Sequence, residues 1–492
     1  MKRITAEAVS YTQEMCLRMR KTKVICTLGP AVDHEATLRQ LILSGMNAAR
    51  FNFSHGTHES HLDTLNKLKK VRDELGVPVA TILDTKGPEI RIKTFADGPV
   101  TLEEGGEFTL TTRGVTGDEH CVSVTYDRLH SELQPGCRIL LDDGLIELMV
   151  DHISGQDIHC RVVTGGILSN NKSINIPDVP ILLPALTDKD RADIRFAAEQ
   201  GFDFIAASFI RKAKDVRDIR KELKRWGGEE IRVIAKIESR EGVDHLNEII
   251  AEADGIMVAR GDLGVEIPAH EVPILQKQMI TKSIRAGKPV IIATQMLDSM
   301  IRNPRPTRAE ISDVANAVFD GASCLMLSGE TASGKYPLEA LRTMVDTIES
   351  AEGSIHYWNR FQKLTFTAGQ SINDAITHTC CLTAMDLNAK AILAASSSGS
   401  TARMIARFRP ACPIIVLTYT ERVRRQLSIS WGARAYLIHD TESTDELFDL
   451  AVERAVGEGA VAPGDTVVIT AGVPMGTVGS TNLIKAQKVE ER

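Results

Sequence analysis

Eight short apolar runs, most of them separated by stretches with helical spacing, constrain this chain of 492 residues more than any other feature. From Thr22 onward they read KVICTL (23–28), NAARFN (47–52), VATILD (79–84), DFIAASF (203–209), IRVIAKIE (231–238), GIMVARGD (255–262), PVIIAT (289–294) and CLMLSGE (324–330). Runs that are apolar throughout imply strands buried on both faces, which a parallel sheet with helical crossovers provides. Segments such as HEATLRQLILSG, AKDVRDIRKELKRWG and RAEISDVANAVFDG supply the crossovers, with apolar residues three or four apart. Eight βα units in succession predict a closed (β/α)₈ barrel, a TIM barrel. An open doubly wound sheet is the alternative on pattern alone.

The pattern breaks after the third run. From about Glu89 to Leu186 period-two stretches take over (EFTLTT, RILLDDGLIELMV, DIHCRVVTGG), and Asp143-Gly144 between apolar runs signals a hairpin turn. These features predict a small antiparallel β-barrel domain inserted in a βα loop, on the face where such barrels carry their sites, able to act as a lid. After about Leu364 a second α/β pattern begins, with strands at KAILAAS (390–396), PIIVLT (413–418), ARAYLI (433–438) and DTVVIT (465–470). Four or five parallel strands with helices on both faces are expected there. The predicted division is 1–88 with 187–364 for the barrel, 89–186 for the lid and 365–492 for the C-terminal parallel-sheet domain. The first residues, MKRITAEAVSYTQEMCLRMRK, read as an amphipathic lead-in helix.

Composition narrows the function. Fifty-eight Lys and Arg against 65 Asp and Glu leave a net charge of −7, which argues against a broad cationic face for nucleic acid. No apolar run approaches the ~20 residues that cross a bilayer. The nine cysteines include no C-x-x-C pair and most sit among apolar neighbours, so a disulfide framework or zinc site is not expected and a reducing cytoplasm is.

The chemistry lies where the runs close, because these positions meet at the C-terminal mouth of a barrel. They include Arg50, Asn52 and Ser54; Asp84 and Thr85; Lys236 and Glu238; Arg260, Gly261 and Asp262; Thr294; and Ser328, Gly329 and Glu330. Alternate strand residues share a face, so Lys236 and Glu238 point the same way, as do Arg50 and Asn52. Two carboxylates without His or Cys, Glu238 and Asp262, suit Mg²⁺ or Mn²⁺. Beside them Arg50, Arg91 and Lys236 suit an anionic, phosphorylated substrate, which is the equipment phosphoryl transfer needs. Asn52, Ser54, Asp84 and Thr85 form an oxygen-rich cluster with a single charge, a composition for a monovalent cation; turn capping explains Asn52 and Ser54 as well. Gly329 to Lys335 begins like a phosphate loop, but Tyr336 stands where a metal-binding Ser or Thr is required, and no G-x-G-x-x-G follows a predicted strand.

The stretches KTKVICTLGPA, MNAARFNFSHG, LDTKGPEIR, KIESREGV, VARGDLGVEIP, ATQMLDSM and MLSGETASGKYP resemble, in order and over nearly the whole chain, the signature segments of the pyruvate kinase family. The resemblance implies phosphoryl transfer from phosphoenolpyruvate to ADP, giving pyruvate and ATP in the last step of glycolysis. It implies a Mg²⁺ on Glu238 and Asp262, and Lys236 stabilising the transferring phosphoryl group and the enolate oxygen. Arg50 would contact the phosphoryl group, and the backbone at Gly261 and Asp262 with Thr294 the substrate carboxylate. Thr294 and Ser328 would belong to the proton route. Asn52, Ser54, Asp84 and Thr85 would bind K⁺, and Asn52, His55, Arg91 and Lys172 would meet the nucleotide. Thr85 and Glu89 match the K⁺-requiring branch, and the resemblance as a whole is to the family's bacterial type. In the C-terminal domain Ser396, Ser397, Ser398, Gly399, Ser400 and Thr401 stand where members often bind a phosphorylated effector. This loop holds no Lys or Arg, and GVPMGTVGS (472–480) departs from the pattern of members that bind fructose 1,6-bisphosphate, so an ordinary capped loop is an equal reading. A homotetramer follows by family analogy. The competing readings are a metal-dependent lyase or aldolase acting on a 2-keto acid, and a regulatory binding protein without activity.

Overall fold

The structure, a computed structural model, describes residues 20–177, 179, 181–364, 371–441, 443–474 and 481–490. The expected lead-in helix lies outside the described residues, as does most of GVPMGTVGS. The eight runs form eight parallel strands: β1 (Lys23–Leu28), β2 (Ala48–Asn52), β3 (Ala80–Asp84), β4 (Phe204–Ala207), β5 (Arg232–Ile237), β6 (Gly255–Ala259), β7 (Val290–Ala293) and β8 (Cys324–Leu327). They close in sequence order, β1 pairing with both β2 and β8, so the open-sheet alternative is excluded.

Period-two alternation divides each strand between two cores. Ile25, Ala48, Ile82, Ala206, Ile234, Met257, Ile291 and Met326 fill the barrel interior, while their neighbours, such as Val24, Ala49, Leu83 and Val233, pack outward beneath the helices. A buried aliphatic side chain contributes about 1.5–3 kcal/mol and an exposed ion pair about 0–1 kcal/mol, so these cores outweigh the many surface pairs. Crossover helices start where the sequence provides caps. Thr57, Thr187 and Thr307 each accept a bond from the third helical residue, and the three helices end at Gly76, Gly201 and Gly321 in the left-handed region.

Between β3 and the helix Asp188–Gln200 lies the inserted domain, a seven-stranded, mostly antiparallel sheet around Ile92, Phe108, Leu110, Ile139 and Leu148. The strands Arg138–Leu141 and Ile146–Ser154 pair antiparallel, with Asp142, Asp143 and Gly144 at φ of 50°, 54° and 87° in the turn between them. That turn rests on the barrel: a Cβ added to Gly144 would stand 3.7 Å from Val265 Cγ1.

The C-terminal domain is a five-stranded sheet in the order β11–β10–β9–β12–β13, where β9 is Ala391–Ala395, β10 Ile414–Thr418, β11 Ala433–Leu437, β12 Thr466–Gly472 and β13 Thr481–Lys488. Four strands are parallel, within the expected four or five. The fifth, β13, runs antiparallel to β12. The connection spans only 473–480, and a parallel return needs a crossover of a dozen residues or more. This domain plugs the N-terminal floor of the barrel: Ile429 joins the interior core, and Cys324 Sγ donates to its carbonyl at 3.1 Å. Among the described residues no helix is long and apolar enough to cross a membrane, and the described cysteines are free thiols.

Candidate active site

Two residues beyond the last apolar side chain of the interior, the same inward alternation places polar groups at the mouth. On β1 this is Thr27, on β2 Arg50, on β3 Asp84, after β4 Ser208, on β5 Lys236 and then Glu238. They form one connected set. Arg50 Nε donates to Asp84 Oδ2 at 2.6 Å and its Nη1 to Thr27 Oγ1 at 3.1 Å. Lys236 Nζ reaches Asp84 Oδ1 at 3.2 Å, Glu238 Oε1 at 2.9 Å and Ser208 Oγ at 2.7 Å. Phe209 N–H donates to the other Glu238 oxygen at 2.5 Å. Arg50, Asp84, Lys236 and Glu238 are all buried.

Burial and neighbours decide the charges. Burial alone would raise the Asp84 carboxyl, but Arg50 and Lys236 outweigh it and hold this group below its ordinary value. Lys236 is desolvated as well, yet Asp84 and Glu238 keep it firmly protonated. Glu238 is pushed up to about 7 by burial, which Lys236 opposes and Asp262 reinforces. Asp262, half-buried, is raised by desolvation against the pull of Lys236, and lid residues Asp143 and Glu89 raise it further. Both carboxyls are raised by desolvation, and a divalent cation beside them would let both ionise, so the pair fits Mg²⁺ or Mn²⁺. Among the described residues no three His, Cys, Asp or Glu side chains gather as a closed metal cage. The pair therefore leaves most of a cation's positions to other ligands.

Beyond β6 the chain turns at once into a short helix, Arg260–Glu266, with Asp262 in its first turn. Gly261 N–H donates to Thr294 Oγ1 at 2.8 Å, and that hydroxyl donates to Ala293 O at 2.6 Å. Thr294 has φ of 66°, strained for a β-branched residue, and is held by Arg260, whose Nη2 donates to its carbonyl at 2.7 Å. Ser328 Oγ is buried and has no hydrogen-bond partner among the described residues. Glu330 fastens both loops, accepting from Leu297 N at 3.0 Å and Ser328 N at 2.7 Å.

Other expected residues are engaged elsewhere. Asn52 Oδ1 accepts from Ser54 N at 3.2 Å, the turn-capping role, and Ser54 and His55 are exposed. Thr85 Oγ1 accepts from Ser208 N at 3.2 Å. Arg91 pairs with Glu89 at 2.7 Å and Lys172 with Asp142 at 2.8 Å, so the two lid cations are tied to lid carboxylates. A cleft of about 340 Å³ opens between lid and barrel beside Asp262, with Glu89, Phe209, Arg211 and Ile181 in its walls. In the C-terminal domain Gly399 (φ 73°) opens the short helix Ser400–Ala406, and Thr401 Oγ1 lies 2.7 Å from Thr481 Oγ1. Arg403 donates to Ser398 O at 3.1 Å, so a cation one turn along the helix folds back onto a loop that has none. Thr27 and Ser208 are not among the strand-end residues that the sequence marks, and Glu330 is marked there without a role. For the first two, inward parity was the available signal: each stands two residues past an interior position.

A family model described as the pyruvate kinase barrel domain matches residues 19–341, and one for the pyruvate kinase alpha/beta domain matches 374–486. The chain belongs to the pyruvate kinase family. It is accordingly a phosphotransferase. A pyruvate kinase from Geobacillus stearothermophilus is 48% identical over 96% of this chain and 81% of its own length. Another pyruvate kinase, from Clostridium acetobutylicum, is 47% identical over 96% of this chain and 100% of its own. A crystal structure of a pyruvate kinase from Cryptosporidium parvum superposes with a TM-score of 0.91 at 37% identity, covering 99% of this chain and 98% of the other.

Proposed function

We propose that this site moves the phosphoryl group of phosphoenolpyruvate to ADP, through Lys236 and Arg50 as the cations that meet it. The observation that carries these roles is the Lys236 ammonium, 3.2 Å from Asp84 and 2.9 Å from Glu238, with Asp262 close enough to perturb both. Glu238 and Asp262 would hold a divalent cation, Mg²⁺ or Mn²⁺, which would supply positive charge for phosphoryl transfer. Lys236 places a fixed charge where negative charge builds, without reorganisation at the moment of transfer. Arg50 is preoriented by Asp84 and Thr27 to receive a phosphate. Gly261 N–H and the Thr294 hydroxyl, now bonded to one another, are the pair that a substrate carboxylate separates and takes up. Thr294 and the unpartnered Ser328 hydroxyl border the route by which a proton reaches the enolate carbon.

Asn52, Ser54, Asp84 and Thr85 form the K⁺ site of this reading. Each oxygen there that accepts one bond keeps further lone pairs for a cation. Asn52 and His55 from the barrel and Arg91 and Lys172 from the lid form the nucleotide side, which requires the lid cations to leave Glu89 and Asp142. The three-part division (1–88 with 187–364, 89–186, 365–492), a cytoplasmic homotetramer and an effector at 396–401 complete the proposal. One coupled assay of ATP formation tests it, with Mg²⁺, K⁺ and a panel of phosphorylated metabolites varied in turn. Turnover that is indifferent to replacing K⁺ by tetramethylammonium at fixed Mg²⁺ would remove the K⁺ assignment; absence of ATP formation would remove the whole.

A further inference from the structure

Lys236 has three N–H donors; two donate to Asp84 Oδ1 and Ser208 Oγ, and the ammonium pairs by charge with Glu238 Oε1 at 2.9 Å. A substrate that takes a bond from this ammonium approaches on the side of Glu238. Glu238 has other work, as a ligand of the divalent cation. Asp84 and Ser208 then hold two legs of the ammonium, and two fixed legs set the direction of the third.

The Ser208 hydroxyl has a single proton, and its nearest acceptor is Thr85 O at 2.7 Å; Asp84 Oδ1 is farther, at 3.4 Å. It donates to Thr85 and is left with lone pairs for Lys236. A neutral oxygen at this place orients the ammonium without cancelling its charge, which a carboxylate would do. The hydroxyl is also held rigidly. Ser208 is buried, its N–H is bound by Thr85 Oγ1 at 3.2 Å, and Phe209 after it takes a left-handed φ of 55°. Gly87 packs so closely that an added Cβ would stand 2.8 Å from Ser208 Cβ.

We propose that Ser208 is a positioning residue for phosphoryl transfer, aiming the Lys236 ammonium at the transferring group and joining it to the Thr85 carbonyl of the proposed K⁺ site. The inference rests on the phosphotransfer reading above. Ser208→Ala, Ser208→Thr and Ser208→Cys test it together, the cysteine keeping the shape with a weak donor and acceptor. Ser208→Ala is expected to lower kcat on the order of 10-fold to 10²-fold while the KM for phosphoenolpyruvate stays within about twofold, since orientation is lost and ground-state binding is not. Ser208→Thr recovers most of kcat and Ser208→Cys does not. By calorimetry with Mg²⁺ present, Ser208→Ala weakens binding of oxalate, whose two carboxylates imitate the enolate, by about the same factor, and leaves phosphoenolpyruvate affinity in place. A Ser208→Ala enzyme within twofold of the parent in kcat overturns the proposal, as does equal impairment of the Ala and Thr variants. A parent enzyme that forms no ATP overturns the phosphotransfer reading itself.

Discussion

Lys236 and Asp84 stand 152 residues apart in the chain, yet Nζ and Oδ1 lie 3.2 Å apart across the barrel mouth. Asp84 also holds Arg50, so one carboxylate arranges both cations that face the proposed substrate phosphate. Two strand ends that never pair directly are coupled through a charge, and each would be a poorer anion site alone.

Replacing Lys236 by Met removes the ammonium and leaves Asp84 with Arg50 alone and Glu238 beside Asp262 with no cation. A loss on the order of 10²-fold or more in kcat is expected, from the missing charge at the transferring group. Stability falls too, by about 3–5 kcal/mol at most, as for a broken buried pair. Steady-state kinetics and thermal unfolding check both; an unimpaired kcat removes Lys236 from its role.

Mg²⁺ should raise the melting temperature of the parent protein by neutralising the desolvated carboxyls of Glu238 and Asp262. At a hundredfold excess over its Kd the gain is about 2.7 kcal/mol. Because Glu238 is pushed up to about 7, protons compete below that value, so the Mg²⁺-dependent shift shrinks as pH falls through 7. Glu238→Gln should abolish it. Differential scanning calorimetry with and without chelator, at pH 6 to 8, decides.

The seam between barrel and C-terminal domain carries a buried ion pair, Arg425 Nη2 to Asp203 Oδ1 at 2.9 Å, with Asp203 Oδ2 also accepting from Thr81 N at 2.9 Å. Burial raises the Asp203 carboxyl despite Arg425. Arg425→Ala therefore strands a desolvated carboxylate and should cost about 3–5 kcal/mol, whereas Asp203→Asn with Arg425→Ala together should cost less. Denaturant titration of the two variants measures the difference.

At the same seam Lys23 Nζ donates to Ala433 O at 2.8 Å, and burial, with Arg434 and Arg20 adding to it, pushes this lysine down to about 7. The unfolded chain then binds the extra proton between about 7 and the ordinary lysine value near 10.4, so stability rises with pH across that window, by up to about 1.4 kcal/mol per unit. Lys23→Met should flatten the rise. Unfolding free energies at pH 7, 8 and 9 provide the check.

The barrel was legible because interior and exterior of its strands are both apolar: KVICTL is β1 to the residue, and the other runs lose only their ends. Arg50, Asp84, Lys236 and Glu238 stood out because charge at the end of an apolar run is conspicuous. Thr27 and Ser208 are small and neutral and drew no attention, although Ile25 and Ala206 two residues earlier mark the same inward face. Arg91 and Lys172 were legible as cations but not their lid partners, which depend on how the hairpin at Asp142 folds over. The Arg425–Asp203 bond was out of reach for a different reason. It exists only once one domain docks on another, and no local pattern encodes docking.

The seating of Ile429 in the barrel floor has a consequence for how this polypeptide can be cut or grafted. A fragment ending before the second sheet would leave its central bore uncorked, with Cys324 and the lower rungs open to water. Transplanting the catalytic half onto another scaffold therefore requires bringing along a stopper, or carving a new one.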